Sequence, residues 1–259
     1  MELIDTHCHL DVSEFDADRE AVLARCRSMG ITRIVVPAVT ASGWDGLLAL
    51  CARESGLLPA LGLHPVYLDL HQDQDVALLA DYLRRERPVA VGEIGIDHYV
   101  KSIDHQRQQT LFAAQLTCAR EADLPVLLHV RKAHDEVLAV LRRIRVKGGI
   151  AHAFNGSLQQ AEQYLELGFK LGFGGTLTYE RSRNIRRLAR ELPLEAIVLE
   201  TDAPDLVVAS HHGERNSPEY LIEVAEALAE IRAEALELIA ATTTANACAV
   251  LGLDGRQPA

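Results

Sequence analysis

Short apolar, β-branched runs alternate with amphipathic stretches along this chain, and this alternation restricts the possible folds more than any other feature. Strands that alternate with helices are typical of a parallel sheet with helices packed around it. Eight such units in 259 residues predict a (β/α)8 barrel, which commonly spans ~250 residues as one domain. The predicted strands are Leu3–Thr6, Arg33–Val36, Leu57–Leu63, Val89–Glu93, Val126–His129, Gly149–His152, Phe169–Gly172 and Ile197–Glu200.

The stretches between the predicted strands carry apolar residues at helical spacing. Val137, Leu138 and Leu141 recur within Lys132–Arg145 so that they share one face of a helix. We therefore predict an α/β fold, a TIM-like (β/α)8 barrel in a single domain over residues 1–259, with a core of about residues 2–252 and extra C-terminal helices. Other predicted helical segments are Ser13–Met29, Asp104–Ala122 and the tail Pro218–Leu251, which is predicted to hold two helices.

Histidine and acidic side chains stand where the predicted strands end. The first strand runs into His7-Cys8-His9, and alternate residues of a strand point the same way. His7 and His9 can therefore reach one ion together, while Cys8 faces the opposite side. Because barrel active sites lie at the carboxyl ends of the strands, we expect a pocket there for one or two divalent metals. The predicted ligands are His7, His9, Glu93, His129, His152 and Asp202.

Three carboxylates among these strand ends are candidates for catalysis. Glycines close to Glu93 let backbone approach it, so this carboxylate can bridge two ions. Glu200 and Asp202 share one strand face, and we expect Asp202 to bind metal and steer the attacking water. Glu200 is then either an orienting carboxylate or a structural salt bridge inside the barrel. Imidazole and carboxylate ligands suit zinc, manganese, iron or nickel.

Basic side chains near the predicted pocket are candidates for substrate binding. His64 is alone on its strand, so we expect it to contact a substrate phosphate and not a metal. Arg131 shares strand parity with His129, and Arg215 lies in the loop after the last strand. Both arginines suit an anionic substrate, although each position is also compatible with a solvated surface charge.

The net charge and the cysteine content argue against several kinds of binding and structural site. A net charge of −11 weighs against tight nonspecific binding of nucleic acid, but bound cations can still dominate the local field of a site. Five cysteines without a Cys-x-x-Cys pair argue against a disulfide framework or a thiolate zinc site. No apolar run reaches the ~18 residues of a membrane helix, and no signal core follows the N-terminus. We expect a cytoplasmic protein without an obligate protein partner.

Seven stretches of the chain form a set with one order: Ile4–Leu10, Gly62–Pro65, Gly92–Asp97, Leu124–Arg131, His152–Gly156, Glu200–Pro204 and Arg215-Asn216. In this order they resemble the TatD family of metal-dependent deoxyribonucleases within the amidohydrolase superfamily. Two places depart from the family pattern: His152 is followed by Ala-Phe-Asn-Gly where Cys-Phe-Ser-Gly is usual, and His98 intervenes before Tyr99. Neither touches a predicted ligand, so the departures bear on substrate choice.

The resemblance implies a TIM-like barrel with a two-metal centre. It implies His7, His9, Glu93 and Asp202 at one ion, and Glu93, His129 and His152 at the other, with Glu93 bridging. It further implies 3′-to-5′ exonuclease hydrolysis of phosphodiester bonds in DNA, single-stranded or at 3′ ends, with magnesium, manganese or zinc.

Two other functions stay open at this point. The first is a metal-dependent hydrolase of amides or esters, such as aminoacyl esters or small molecules, because the chain is acidic and only 5% of its residues are aromatic. The second is a non-catalytic metal-binding protein. The complete set of predicted ligands and the intact Glu200 and Asp202 argue against the second.

Overall fold

Eight parallel strands form the centre of the molecule, which is described over residues 1–253 from a computed structural model. Each strand pairs with its neighbours in chain order. The strands are β1 (Leu3–Asp5), β2 (Ile31–Pro37), β3 (Leu57–Leu61), β4 (Ala90–Asp97), β5 (Val126–Arg131), β6 (Gly149–Ala151), β7 (Phe169–Phe173) and β8 (Ile197–Leu199).

One α-helix follows each of the first seven strands, and two more follow β8 within residues 1–253. Short 3-10 turns occupy several of the connections. The helices are α1 (Arg19–Ser28), α2 (Trp44–Arg53), α3 (Asp75–Glu86), α4 (His105–Glu121), α5 (His134–Arg143), α6 (Leu158–Glu166), α7 (Arg183–Glu191), α8 (Leu221–Arg232) and α9 (Leu236–Leu251).

The first and last strands meet and nearly close the sheet into a barrel. Just beyond β1, the backbone N–H of Thr6 donates to the Leu199 carbonyl of β8 at 3.0 Å. Further along, the N–H of Asp202 donates to the His7 carbonyl at 2.8 Å. The fold is therefore a TIM-like (β/α)8 barrel in a single domain, and the prediction of fold class is confirmed.

Two layers of apolar side chains hold the barrel together. The larger layer fills the space between the strands and the surrounding helices. The smaller layer joins residues of the strands to the inner face of α9, where Ala247, Cys248 and Leu251 are buried. Thr244 of this helix donates to the Glu2 carbonyl just before β1, and the Asn246 amide donates to the carbonyls of Leu194 and Ile197 at the start of β8, so α9 covers the end of the barrel opposite the carboxyl ends of the strands.

Strand β4 departs most from its predicted course. It runs on to Asp97, and its pairing with β5 shifts register between Val91 and Ile94. Glu93 therefore lies within the strand and not at its end. The bulge turns the Glu93 side chain toward the barrel interior, and the pairing with β5 continues beyond it. Strand β5 likewise continues past His129 to Arg131.

The helix predictions hold with one exception. Ser13–Met29 is not one helix, since a 3-10 turn over Ser13–Phe15 precedes α1. The predicted C-terminal helix pair is confirmed as α8 and α9. Among the described residues, no helix combines the length and hydropathy that a membrane span requires.

Candidate metal centre

The two histidines after β1 point into one space. Their Nε2 atoms lie 3.3 Å apart, and Cys8 between them is fully buried in the apolar core, as predicted. The carboxylate of Asp5 fixes this turn because it accepts hydrogen bonds from the N–H of His7 at 3.1 Å and of Thr201 at 3.0 Å. The turn after β1 is thus held to the turn after β8, which carries Asp202.

Glu93 lies at the centre of the imidazole cluster. It is 1% exposed, and each of its oxygens faces a different group of rings. Burial alone would raise the pKa of Glu93, but the surrounding imidazoles, His64 foremost, hold the pKa of this carboxyl well below its usual range. The distances are 3.1 and 3.5 Å from Oε2 to Nε2 of His7 and His9, and 2.9, 3.4 and 3.5 Å from Oε1 to His129 Nδ1, His64 Nε2 and His152 Nε2.

Asp202 supplies the second carboxylate that faces the pair of histidines after β1. Its Oδ1 lies 3.7 Å from His7 Nε2 and 3.8 Å from His9 Nε2. Burial raises the pKa of this carboxyl to about 6. The residue has a left-handed backbone with φ of 57°, a conformation that aspartate and asparagine adopt more readily than most residues. This backbone turns the carboxylate back over the end of the barrel.

Three groups of side chains have ligand atoms close enough together to share a cation. Within each group the atoms lie within 4.8 Å of one another. Their chemistry fits a divalent cation: the facing nitrogens of His7 and His9 cannot both carry protons without repulsion, and a cation between them would satisfy both lone pairs. The groups are His7 with Glu93 and His152, His7 with His9 and Asp202, and His64 with Glu93 and His129.

His64 stands inside this cluster, although the sequence indicated a substrate contact outside it. Its Nε2 points at Glu93, while its Nδ1 accepts from the N–H of Val66 at 3.1 Å. The backbone bond fixes the ring and leaves Nε2 available to the centre. A lone histidine on its strand gave no sequence signal for this placement, because its neighbours come from β4 and β5.

Asp97 holds His129 from the side opposite Glu93. Asp97 Oδ2 lies 2.9 Å from His129 Nε2, and Glu93 Oε1 lies 2.9 Å from Nδ1 of the same ring. Burial opposes ionisation of Asp97, yet the bond to His129 and two backbone N–H donors lower its pKa to about 2. Those donors belong to Tyr99 and Val100, so the same carboxylate also anchors the loop after β4.

Glu200 contacts His152 from behind. Its Oε1 lies 3.2 Å from His152 Nδ1 and accepts from the N–H of Ala153 at 2.6 Å. This is the geometry of an orienting carboxylate, which the sequence left open beside a salt bridge. Glycine is required opposite it on β7, because a Cβ on Gly172 would lie 2.1 Å from Glu200 Oε2.

A cavity of about 620 Å³ opens over the cluster. Arg131, on the same strand face as His129, lines it together with Asn155 of the turn before α6. Arg215 is not among the lining residues: its guanidinium binds both oxygens of Asp18 at 2.9 and 2.8 Å and lies 4.3 Å above the Phe15 ring. Arg131 therefore lies at the pocket. Arg215 instead links the loop after β8 to the loop after β1 through its contacts with Asp18 and Phe15.

Two further histidines are buried, although their polar or helical sequence contexts indicate surface positions. His71 Nε2 lies 2.9 Å from the His64 carbonyl, which helps to fix the segment after β3. His134 lies between Tyr164 Oη and Asn155 Oδ1, each at 3.3 Å. The buried His134 ring therefore supports Asn155. The one sequence signal at this position was an asparagine where the family pattern usually has serine. Ser157 caps α6.

Comparisons with known proteins agree on one family. The family model described as TatD related DNase matches residues 4–252. The chain is 43% identical over 240 residues to an uncharacterized metal-dependent hydrolase, YjjV, of Escherichia coli K12, covering 92% of this chain and 93% of the relative. It is 31% identical over 256 residues to a Danio rerio protein named as a candidate deoxyribonuclease, tatdn3, with coverage of 94% and 95%.

A solved structure gives the same result. The crystal structure of the TatD homologue YjjV from Escherichia coli K12 superposes with a TM-score of 0.92 at 41% identity, covering 96% of this chain and 97% of the other. The organophosphorus hydrolase of Deinococcus radiodurans, at 13% identity and a TM-score of 0.68, shares the fold alone.

Proposed function

Because the chain belongs to the TatD-related DNase family and is a metal-dependent hydrolase, we propose that it hydrolyses phosphodiester bonds in DNA as a 3′-to-5′ exonuclease with two divalent cations. The observation that carries this proposal is the Glu93 carboxylate, whose two oxygens face two different groups of imidazoles. A carboxylate in that position suits a bridge between two cations, the arrangement used by many phosphodiesterases.

We assign the ligands from the distances around Glu93. His7, His9, Glu93 and Asp202 would hold one cation, and Glu93 with His129 and His152 the other, with His64 close enough to join the second group. Magnesium, manganese or zinc would supply Lewis-acid stabilisation of the phosphate charge and a lowered pKa for the attacking water. Nickel and iron also suit these ligands.

The side chains of this chain position the reactants. Asp202 is 16% exposed at the cavity and is the carboxylate we assign to orient the water and accept its proton. Glu200 acts through His152, whose ring it holds with one oxygen. The guanidinium of Arg131 at the cavity edge would bind the phosphate backbone of the substrate with two parallel donors. Arg215 can reach a substrate only where the substrate extends to the rim, since Asp18 occupies its donors.

The test is hydrolysis of a 5′-labelled single-stranded oligonucleotide by metal-stripped protein with magnesium, manganese, zinc or nickel added back. We expect stepwise shortening that requires metal and is lost in Glu93→Gln, because the amide cannot bridge two cations. A substrate with phosphorothioate linkages at its 3′ end should resist, which checks the polarity. Shortening that survives in Glu93→Gln at full rate would contradict the assignment.

The alternative substrate class is an amide or an ester. Val12, Val66 and Ile185 line the cavity beside the polar residues, and an aliphatic wall suits an uncharged acyl group. An enzyme that binds metal yet leaves every oligonucleotide intact, but cleaves aminoacyl esters or amides, would establish this class in place of the nuclease.

A further inference from the structure

Two basic side chains, Arg131 and Lys132, follow one another in the sequence where β5 reaches the cavity. Arg131 and Lys132 are both exposed, and among residues 1–253 no carboxylate oxygen lies within 4.0 Å of either charge. Glu136 on the neighbouring α5 is paired with His98 at 2.7 Å. In a chain with a net charge of −11, such a pair beside a binding cavity produces a local field that favours an anion.

An aromatic ring holds both cations in place. The guanidinium carbon of Arg131 lies 3.7 Å from the centre of the Tyr99 ring, and Lys132 Nζ lies 5.1 Å from it. The loop that carries Tyr99 is fixed by Asp97, and the N–H of His98 donates to the Arg131 carbonyl at 2.9 Å. Side chains fixed in this way lose less conformational entropy when they bind a ligand.

The position of the pair separates it from the scissile phosphate. Residues two apart on a strand are about 6.6 Å apart, so Arg131 lies that far outward from His129. Arg131 lines the cavity, whereas Lys132 is not among the lining residues. A phosphate at the imidazole cluster and a phosphate on Lys132 are therefore two different phosphates.

The opposite wall of the cavity has the opposite charge. Glu14 and Asp205, from the loops after β1 and β8, line that side. A polyanion that reaches the cluster is repelled by Glu14 and Asp205 and attracted by Lys132. The charge distribution therefore directs a bound nucleic acid out of the cavity across the ends of β4 and β5.

We propose that Arg131, Lys132 and Tyr99 form a binding subsite for the phosphate adjacent to the scissile one in a single-stranded nucleic acid. The inference rests on the proposed function and adds a requirement to it: a good substrate carries at least two consecutive phosphates. Arg131 contacts the strand at the cavity edge, Lys132 binds the adjacent phosphate, and Tyr99 keeps both cations in position.

The first experiment compares dinucleotides with one and with two phosphates. We expect kcat/KM for thymidylyl-thymidine to rise about tenfold when a phosphate is added at one of its two ends, the size of one charge-assisted hydrogen bond. Lys132→Gln should bring this ratio close to one, and Tyr99→Leu should reduce it. Arg145→Gln, an equal loss of charge between α5 and β6, should keep the ratio. Equal rates for all three dinucleotides, or a ratio that survives Lys132→Gln, would overturn the subsite.

The second experiment measures binding without turnover. Fluorescence anisotropy of a labelled oligothymidylate on Asp202→Asn protein gives the affinity across a range of salt concentrations, and asparagine tolerates the left-handed backbone at this position. Adding Lys132→Gln should reduce the slope of log affinity against log salt by about 0.7, the contribution of one phosphate contact on a single strand. An unchanged slope, or no binding at all, refutes the subsite.

The two experiments separate the two proposals. If the native protein hydrolyses no phosphodiester but the slope falls in Lys132→Gln, the subsite stands and the nuclease assignment fails. If the native protein hydrolyses phosphodiesters but Lys132→Gln changes neither the kcat/KM ratio nor the salt slope, the nuclease assignment stands and the subsite fails.

Discussion

The Glu93 carboxylate lies within 3.5 Å of nitrogens from five imidazole rings. Burying an anion is costly unless cations or hydrogen-bond donors surround it, so Glu93 and the rings depend on one another. Burial opposes protonation of His9 and His152, yet Glu93 and Asp202 raise the pKa of His9 to about 9, and Asp202, Glu200 and Glu93 raise that of His152 to about 10. Without a cation, protons on these rings therefore provide the compensating charge. Metal binding at this centre therefore releases protons.

At the residue scale, Asp97→Asn should weaken metal binding. The substitution removes the negative charge that holds His129 Nε2, and changes to such supporting carboxylates typically cost about 10–100-fold in metal affinity. Titration of metal-free protein with manganese or zinc measures the effect. Asp104→Asn is the matched control, because asparagine caps α4 as well as aspartate does. Equal affinities in native protein and Asp97→Asn would rule out this role.

The sequence identified residues of the metal centre where histidines share a strand face. It missed residues whose contacts come from elements that are distant along the chain. His7 and His9 could be found because two histidines share a strand face. His64 and His134 could not, since their partners come from other elements. Arg215 was assigned to substrate from its loop alone, whereas its contacts with Asp18 and Phe15 depend on the packing of the loop after β1.

At the element scale, strand order followed directly from the alternation of patterns, but strand ends did not. An apolar run predicts that a strand exists, and it does not show a bulge such as the one between Val91 and Ile94. The error placed Glu93 at the end of β4, although its side chain reaches the same pocket. The residues after Glu93 continue the strand and bring Asp97 opposite Arg131.

Gly172→Ala tests how closely β7 and Glu200 fit. The added methyl would overlap Glu200 Oε2, so we expect about 1–3 kcal/mol of lost stability from overpacking and a displaced His152 with reduced turnover. Gly46→Ala in α2 is the control, because no atom outside its own helix lies within 4 Å of the new methyl and alanine favours helix by about 1 kcal/mol. Urea unfolding and turnover of both variants give the answer, and unaltered behaviour of Gly172→Ala would contradict the packing argument.

At the scale of the whole molecule, the barrel has a functional end and a structural end. The cluster and cavity lie at the carboxyl ends of the strands, where loops from across the chain converge. The opposite end is filled by α9, which buries Ala247, Cys248 and Leu251 against the strand interior. Side chains at this end affect the free energy of unfolding without touching the substrate.

Leu251→Ala should therefore destabilise the protein and leave its chemistry intact. The side chain is 1% exposed, and removing a buried leucine typically costs about 2–5 kcal/mol. Leu238→Ala on the exposed side of the same helix, where leucine is 50% exposed, should change stability by less than about 0.5 kcal/mol. Denaturant unfolding compares the two, and a Leu251→Ala protein as stable as Leu238→Ala would show that α9 does not seal the barrel.

The place of α9 in the chain has a consequence for synthesis on the ribosome. The strand interiors that it covers, from Ile4 to Val198, are all translated before Leu236–Leu251 emerges. Until then the amino-terminal end of the nascent barrel is open and its apolar residues are exposed, so these residues can associate with other chains. Once Leu236–Leu251 has left the exit tunnel and packed against the strands, these apolar residues are buried and the nascent protein is less prone to aggregate.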